Sequence, residues 1–248
     1  MLLNVAYFHA EGSLKDLLPA NASTPYVYHF TGNPAIKDAI EAMGVPHTEV
    51  DVIQVNNKFV DFSYILQHYD HVNVYPHQSI FSNQHSIAGK PPVYNGFIAD
   101  VHLGTMVRSL RLLGFDVWYD QQLNETQLAD LAAEHNRIIL TRSLHLLKHA
   151  KVHWGYWLRS QPTEAQVMEV LNRYEMIKQL IPFKRCTVCN GLLHQVSKNE
   201  VLNLLPPKTQ LHFNAFWQCE QCQRVYWKGS HYERMAQWIE KIQAETQF

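Results

Sequence analysis

Four cysteines near the C-terminus restrict the fold of this chain more than any other feature. Cys186 and Cys189 form one C-x2-C pair, Cys219 and Cys222 form another, and 29 residues separate the two pairs. Two such pairs can bring four thiolates into the tetrahedral arrangement that Zn²⁺ prefers, with Zn–S distances of about 2.3 Å. Because a closed set of four ligands leaves no open position, the spacing predicts a structural zinc ribbon. An iron centre and two disulfides are the alternatives.

Basic and aromatic residues surround the cysteine pairs. Residues 178–234 carry eight basic and three acidic side chains, whereas residues 1–80 carry three basic and eight acidic ones. Such a basic excess favours an anionic partner, and aromatic rings beside it can stack on unpaired bases. The candidates for RNA or phosphate contacts in this module are Lys208, Lys228, His231 and Arg234. Its aromatic residues, among them Trp217, could equally build the small core of the ribbon.

Strand-like and helix-like segments alternate in the middle of the chain. Strands are expected at 94–100, 115–119 and 137–141, and helices at 103–113 and 123–133, the second helix capped by Asn124. This order predicts an α/β fold with a parallel sheet. In such folds, the groups that do chemistry collect at the carboxyl ends of the strands. The residues at these ends are therefore the first candidates for a site.

Charged residues stand at these predicted strand ends. Asp100 and Asp120 follow the first and second strands, and clustered carboxylates there could hold Mg²⁺ or Mn²⁺ and assist phosphoryl transfer. Arg142 follows the third strand, and Arg108 and Arg111 lie on the first helix. These arginines are candidates to hold phosphate oxygens, with a solvated surface position as the alternative for each.

Two stretches of this region, IADVHLGTMVRSLRLLGFDVWYD and RIILTRS, resemble the Mut7-C ribonuclease domain, which has a PIN-like fold. The resemblance covers about residues 94–236. It implies metal-binding acids at the first strand end, at the start of the second helix and after the Leu-Thr-Arg of the third strand. Asp100 matches the first position, and Glu125 is the acid that remains beside Asn124 where paired aspartates are common. Ser143 stands where the family usually has an aspartate.

Two functions follow from this resemblance. One is a metal-dependent ribonuclease, a hydrolase of RNA phosphodiester bonds, whose catalytic candidates are Asp100, Glu125, Asp120 and Ser143. The other is an RNA-binding relative, for tRNA-like or single-stranded RNA, in which the incomplete acid set no longer supports hydrolysis. Fewer charges should weaken the binding of a divalent ion, because charge count helps to set affinity in oxygen-ligand sites.

The N-terminal segment has a different pattern. A helix is expected from Asn33-Pro34, followed by strands at 50–55, 59–60 and 71–75, with Asn56-Asn57 as a tight turn. The stretch NPAIKDAIEAMGVPHTEVDVIQVNN resembles the ubiquitin-like β-grasp domain found in Mut7-C proteins. Because no Gly-Gly pair ends this domain, a carrier role is not expected. An acidic module that docks a basic protein partner is a third function class.

These patterns divide the chain into four segments. They are a β-grasp domain (1–78), a linker (79–93), a PIN-like domain (94–180), and a zinc ribbon with a final helix (181–248). We find no run of about 18 apolar residues and no signal-peptide pattern. The sequence thus predicts a cytoplasmic protein with RNA as its partner, zinc as its structural metal and no membrane partner.

Overall fold

The computed structural model describes residues 3–19, 21 and 23–244, apart from the side chain of Tyr94. The strands are β1 (Asn4–Ala10), β2 (Tyr26–Phe30), β3 (Val50–Val55), β4 (Lys58–Val60), β5 (His71–Pro76), β6 (Phe97–Ala99), β7 (Val117–Tyr119), β8 (Ile138–Thr141), β9 (Gly155–Trp157), β10 (Leu193–Val196), β11 (Phe216–Cys219) and β12 (Val225–Trp227). The helices are α1 (Ile36–Ala42), α2 (Ser82–His85), α3 (Gly104–Leu112), α4 (Glu125–Glu134), α5 (Leu144–Leu147), α6 (Thr163–Arg173), α7 (Lys198–Val201), α8 (Pro207–His212) and α9 (Ser230–Ala244).

The described chain forms two compact units. The first combines Met1–Pro92 with Asn124–Trp157, and the second combines Val93–Leu123 with Leu158–Phe248. Both contain helices and parallel strand pairs, so the predicted mixed α/β class is confirmed. The boundaries of the four predicted segments stay predictions, because the two units follow spatial contacts and not those boundaries.

The first unit contains a five-stranded sheet in the order β2-β1-β5-β3-β4. Its central strands β1 and β5 run parallel, and the other neighbours are antiparallel. Helix α1 buries Ile36, Ala39 and Ile40 against this sheet. A mixed sheet crossed by one helix is the β-grasp arrangement, so the predicted N-terminal sheet domain is confirmed. The β3–β4 turn uses Asn56 and Asn57 at positive φ, as the pattern predicts.

The second part of the first unit, residues 124–157, is tied to this sheet domain by hydrogen bonds. His47 bridges the two parts, with Nδ1 2.5 Å from Glu41 Oε1 and Nε2 2.7 Å from the carbonyl oxygen of Val152. The Lys148 ammonium donates to the Glu41 carbonyl at 2.6 Å. Within residues 124–157, β8 and β9 pair in parallel and α4 and α5 pack beside β8.

The predicted linker also has contacts of its own. Ser86 Oγ donates to the buried Asp51 carboxylate at 2.5 Å, and the Ile87 N–H donates to the Asp51 carbonyl at 2.8 Å. The His85 ring stacks on Phe59 with ring centroids 3.6 Å apart. These residues therefore pack on β3 and β4.

The second unit begins with β6, α3 and β7, and β6 and β7 pair in parallel. Helix α3 buries Met106, Val107 and Leu110 and packs on α6. Gly114 ends this stretch at φ +99°, where an added Cβ would lie 2.2 Å from the Ile181 carbonyl oxygen. Only glycine fits there without backbone movement.

The C-terminal part of the second unit contains an antiparallel sheet in the order β10-β11-β12. Helices α7 and α8 lie in the connection between β10 and β11, where Val201, Leu205 and Phe216 form a small buried core. Helix α9 follows β12 and buries Ile239 and Ile242. All four cysteines belong to this part of the chain.

Candidate functional site

The four cysteines come together at one end of the antiparallel sheet. Their Sγ atoms all lie within 4.8 Å of one another, with 3.6 Å between Cys186 and Cys222 and 3.3 Å between Cys189 and Cys219. These distances are too long for disulfides, in which sulfur atoms are about 2.05 Å apart. Zn–S bonds of about 2.3 Å in a tetrahedron place sulfurs about 3.8 Å apart. The cluster could therefore hold a metal ion.

Two similar turns of the backbone place these thiols. In the first, the Cys186 N–H donates to Gly191 and the Asn190 N–H donates to Cys186. In the second, the Cys219 N–H donates to Arg224 and the Gln223 N–H donates to Cys219. The residue after the second cysteine of each pair, Asn190 or Gln223, has positive φ.

Close packing at the cluster requires a glycine next to the first turn. A Cβ on Gly191 would lie 2.8 Å from Cys219 Sγ, so a larger residue would displace that thiol. The Tyr226 hydroxyl lies 3.0 Å from Cys186 Sγ and can donate to a thiolate there. Burial, and then this hydrogen bond, raises the pKa of Tyr226.

The first cysteine turn, which we call the first knuckle (residues 186–191), is bonded to α3 and β7. Arg111 is only 3% exposed, and its guanidinium donates to the Val117 carbonyl at 3.1 and 2.7 Å and to the Val188 carbonyl at 2.6 Å. Burial lowers the pKa of Arg111, and the charges of Cys186 and Cys189 oppose this shift. Arg111 is therefore a structural residue, contrary to the prediction that it holds phosphate.

A second set of hydrogen bonds joins the first knuckle to the start of β7. Asn190 accepts from the Val117 N–H at 3.2 Å and donates to the Asp116 carboxylate at 3.0 Å. Arg185 forms an ion pair with the same carboxylate at 3.1 Å. Asp116 thus holds the first knuckle in place.

The predicted catalytic residues Glu125 and Ser143 meet in the first unit. Asn124 caps α4, as predicted, and the structure adds a capping box with Gln127 that the sequence did not predict. This cap fixes Glu125 as the first residue of the helix. Ser143 caps α5 just beyond β8, and its hydroxyl donates to Glu125 Oε1 at 2.5 Å. His145 Nδ1 lies 2.8 Å from Glu125 Oε2. We call these three residues the Glu125 cluster.

The electrostatics of the Glu125 cluster favour an ionised carboxylate. The pKa of Glu125 lies below its ordinary value, because Ser143 and then His145 donate hydrogen bonds to the charged form. The side chain of Glu125 is 44% exposed and that of His145 is 89% exposed, so a substrate can reach both. His145 was not among the predicted site residues. Its place in the first turn of a helix that directly follows a strand end is the signal that could have indicated it.

Asp100 and Asp120 belong to the second unit. Asp100 follows β6, is 7% exposed, and accepts the His102 N–H at 2.9 Å. Asp120 follows β7, is exposed, and accepts the Gln122 N–H at 2.9 Å. Apart from the four cysteines, neither unit brings three or more His, Cys, Asp or Glu ligand atoms within 4.8 Å among its described residues.

The remaining predicted contact residues lie at several places. Arg108 is exposed on α3, Arg142 is exposed after β8, and Lys208 is exposed on α8. Lys228 lies over the rings of Trp217 and Tyr232, at 5.7 and 5.3 Å from their centroids. His231 Nδ1 and Arg234 Nη2 are 3.4 Å apart on the first turn of α9. The structure therefore brings His231 and Arg234 together on α9, places Lys228 over two aromatic rings and leaves Lys208 on α8.

Comparisons with known proteins match both halves of the chain to families. The family model described as Mut7-C RNAse domain matches residues 95–239, and the one described as Mut7-C ubiquitin matches residues 3–82. Searches of curated proteins and of solved structures found no significant match. None of the described helices has the length and apolar character needed to cross a membrane.

Proposed function

Because the chain belongs to the Mut7-C RNAse domain family and carries a Mut7-C ubiquitin domain, we propose that it binds RNA and hydrolyses RNA phosphodiester bonds. The observation that carries this proposal is the Glu125 cluster. It places an ionised carboxylate, a hydroxyl and an exposed imidazole together just beyond the carboxyl end of β8. Groups that do chemistry in α/β folds collect at such strand ends.

The Glu125 cluster can hold and move a proton. Glu125 Oε2 fixes the Nδ1–H of His145, which leaves Nε2 of the exposed ring free to take a proton from water or from a ribose hydroxyl. The protonated ring can then return that proton to the leaving oxygen of the phosphodiester. The negative charge of Glu125 stabilises the imidazolium in between, as a carboxylate does for histidine in hydrolases. Arg142, which is exposed on the same segment as Ser143, can hold a phosphate oxygen.

Zinc fits the four cysteines. Their thiols are unpaired and close enough for one tetrahedral ion, and no other ligand would be needed. We propose that Cys186, Cys189, Cys219 and Cys222 hold one structural Zn²⁺. When bound, this ion supplies folding free energy to a small sheet that has little core of its own.

A catalytic Mg²⁺ or Mn²⁺ fits less well. In the first unit, Glu125 is the one carboxylate of its cluster, and each of its oxygens already accepts a hydrogen bond. Ser143 adds an oxygen without a charge, and Asp100 in the second unit already accepts a backbone N–H. Hard divalent cations prefer several charged oxygen ligands. The residues within each unit do not make such a site.

The proposal is tested by measuring how the full chain cleaves labelled single-stranded RNA and tRNA in Mg²⁺, in Mn²⁺ or in EDTA. The bound zinc is monitored in each condition. We expect Glu125→Gln to lose cleavage, because it removes the charge that holds the His145 ring, whereas a loss in Asp100→Asn would assign a catalytic role to the acid at the first strand end. The control Glu134→Gln removes the same charge from an exposed position of α4 and should cleave RNA as the parent chain does. Equal cleavage by all variants would point to a contaminant and contradict the proposed hydrolysis.

Binding of RNA without cleavage is the second candidate, and the hydroxyl at Ser143 is the observation that favours it. It predicts an affinity that falls steeply with salt, because lysines and arginines displace counterions from phosphates. It also predicts equal affinity for the parent chain and Glu125→Gln. Absence of both cleavage and salt-sensitive binding would contradict both RNA functions. The acidic sheet domain as a dock for a basic protein partner would then be the reading to test.

A further inference from the structure

An aromatic cavity of about 340 Å³ lies beside the antiparallel sheet of the second unit. Its walls include Phe183, Trp217, Trp227 and Tyr232, which come from the segment before the first knuckle, from β11, from β12 and from α9. Phe183 and Tyr232 pack ring against ring, with centroids 4.5 Å apart and planes tilted by 30°. Cavities that bind small molecules have volumes of about 300–1,000 Å³ and are mostly apolar with a few polar groups. The size and lining of this cavity therefore suit one flat ring system.

Two cationic side chains also line this cavity. The ammonium of Lys228 lies 5.7 Å from the centre of the Trp217 ring and 5.3 Å from that of Tyr232, within the range of cation–π attraction. Arg185 binds Asp116 and the Asn190 carbonyl through its terminal nitrogens. Its Nε is buried and has no hydrogen-bond partner in the described structure. A buried donor of this kind costs free energy until an acceptor satisfies it.

A simple packing gap does not account for these features. Gaps in a small core are dry and lined by aliphatic groups, because an unpaired polar atom there is costly. Here the exposed ammonium of Lys228 lies over two of the rings, and the charged side chain of Arg185 is part of the wall. The occupant should therefore be flat and be attached to negative charge. The basic excess of residues 178–234 supports an anionic occupant.

We propose that this cavity holds one unpaired nucleobase of the bound RNA, an inference that rests on the proposed function. The base lies among Trp217, Trp227 and Tyr232. The adjacent phosphate pairs with Lys228 at the edge of the cavity. Aromatic stacking of this kind tolerates every base, so the cavity recognises single-stranded character more than sequence.

The inference is tested by measuring the affinity of the full protein for two probes, a short oligoadenylate and the same ribose-phosphate chain without bases. The integrity of the RNA is checked on a gel. We expect the chain without bases to bind about 5- to 150-fold more weakly, the range that stacking contributions of about 1–3 kcal/mol correspond to. This ratio should fall towards unity in Tyr232→Leu and persist in Tyr232→Phe. Lys228→Met should weaken both probes equally, and Lys241→Met, which removes the same charge from an exposed position of α9, should weaken neither.

Each outcome separates this inference from the proposed function. Equal, salt-sensitive binding of both probes would overturn the nucleobase cavity and leave RNA binding in place. No binding of either probe would overturn both proposals. A ratio that persists in Tyr232→Leu with zinc still bound would place the base elsewhere and overturn the inference. If Tyr232→Leu loses its zinc, the tryptophan fluorescence of the parent protein is the deciding measurement. Oligoadenylate should quench this emission and the chain without bases should not, and Trp217→Phe should reduce the quenching.

Discussion

The substitution Ser143→Asp tests whether the missing acid limits divalent-metal binding. Ser143 Oγ donates to Glu125 at 2.5 Å and accepts the Leu146 N–H at 3.3 Å as the N-cap of α5. Aspartate is as good an N-cap as serine, so the cap should be kept. An ionised aspartate has no proton to donate, so the bond to Glu125 is replaced by repulsion between two carboxylates. The variant thus supplies the acid that the resemblance to the Mut7-C family implies at this position, at the cost of one hydrogen bond.

The magnitude follows from these two changes. A hydrogen bond to a charged group contributes about 1.5–3 kcal/mol to stability. Two carboxylates about 4 Å apart repel by about 1 kcal/mol in water and about 4 kcal/mol at an effective dielectric constant of 20. The lower value applies better, because 44% of the Glu125 side chain is exposed to solvent. Without divalent ions we expect a loss of about 3 kcal/mol, or about 6–12 °C in Tm.

A divalent cation should reverse this loss. An ion held by both carboxylates stabilises the folded state by about 2.7 kcal/mol when its concentration is a hundred times its Kd. Thermal unfolding of the zinc-loaded protein with and without Mn²⁺ measures this recovery, and RNA cleavage measured in parallel should gain Mn²⁺ dependence.

The control is Ser143→Asn, which caps the helix but adds no charge. We expect it to lose stability through the altered contact with Glu125 and to gain nothing from Mn²⁺. A Ser143→Asp variant that responds to Mn²⁺ no more than Ser143→Asn would refute the reasoning that acid count limits this site.

Three further predictions concern the zinc, a buried arginine and pH. Cys219→Ser should lose the bound zinc, measured by atomic emission, and unfold at lower temperature; a variant with full zinc content and unchanged Tm would contradict the structural assignment. Arg111→Lys should lower the free energy of unfolding in denaturant by about 2–4 kcal/mol, because a lysine cannot donate to both the Val117 and the Val188 carbonyls. Arg108→Lys, on the exposed face of α3, should change it by less than about 0.5 kcal/mol. Equal effects of the two substitutions would disprove the buried role. Hydrogen bonds from Ser143 and His145 lower the pKa of Glu125, so the ionised carboxylate stabilises the fold above the ordinary pKa of 4.5, and this stabilisation is lost as pH falls through the folded-state pKa. Carboxyl NMR should show a higher pKa of Glu125 in Ser143→Ala, and an unchanged titration would count against the hydrogen bond.

Local signals in the sequence predicted local structure well. The Asn56-Asn57 turn and the Asn124 cap depend on residues within four positions, and the structure confirms both. The helix start at Asn33-Pro34 was wrong, because α1 begins at Ile36. Ala35 pairs with Ile65 in an antiparallel bridge, and the Ile36 N–H donates to Tyr64. A capping rule that reads neighbouring residues cannot detect this pairing with a distant segment.

Residues whose roles depend on distant partners were not predictable. Arg111 has the sequence context of a surface arginine on a helix, and its true partner Val188 lies 77 positions further along the chain. His145 gains its role only because Glu125, 20 positions earlier, lies beside it in the fold. The cysteine spacing was informative for the opposite reason, because metal geometry imposes its own constraint on which residues meet.

The contacts of Arg111 and Asn190 also bear on why a cysteine module accompanies this α/β domain. Within the second unit β7 pairs with β6, and at Val117 the first knuckle and Arg111 take up the backbone groups of the strand. An unpaired strand edge invites non-native pairing with other chains, so covering it protects the fold. The thiols that fix the shape of the first knuckle therefore also fix the residues that cover the edge of β7. Loss of zinc should then loosen β7 and α3 as well as the ribbon, and hydrogen exchange at the Val117 amide should report it. Unchanged protection of that amide after zinc removal would show that the knuckle keeps its shape without metal.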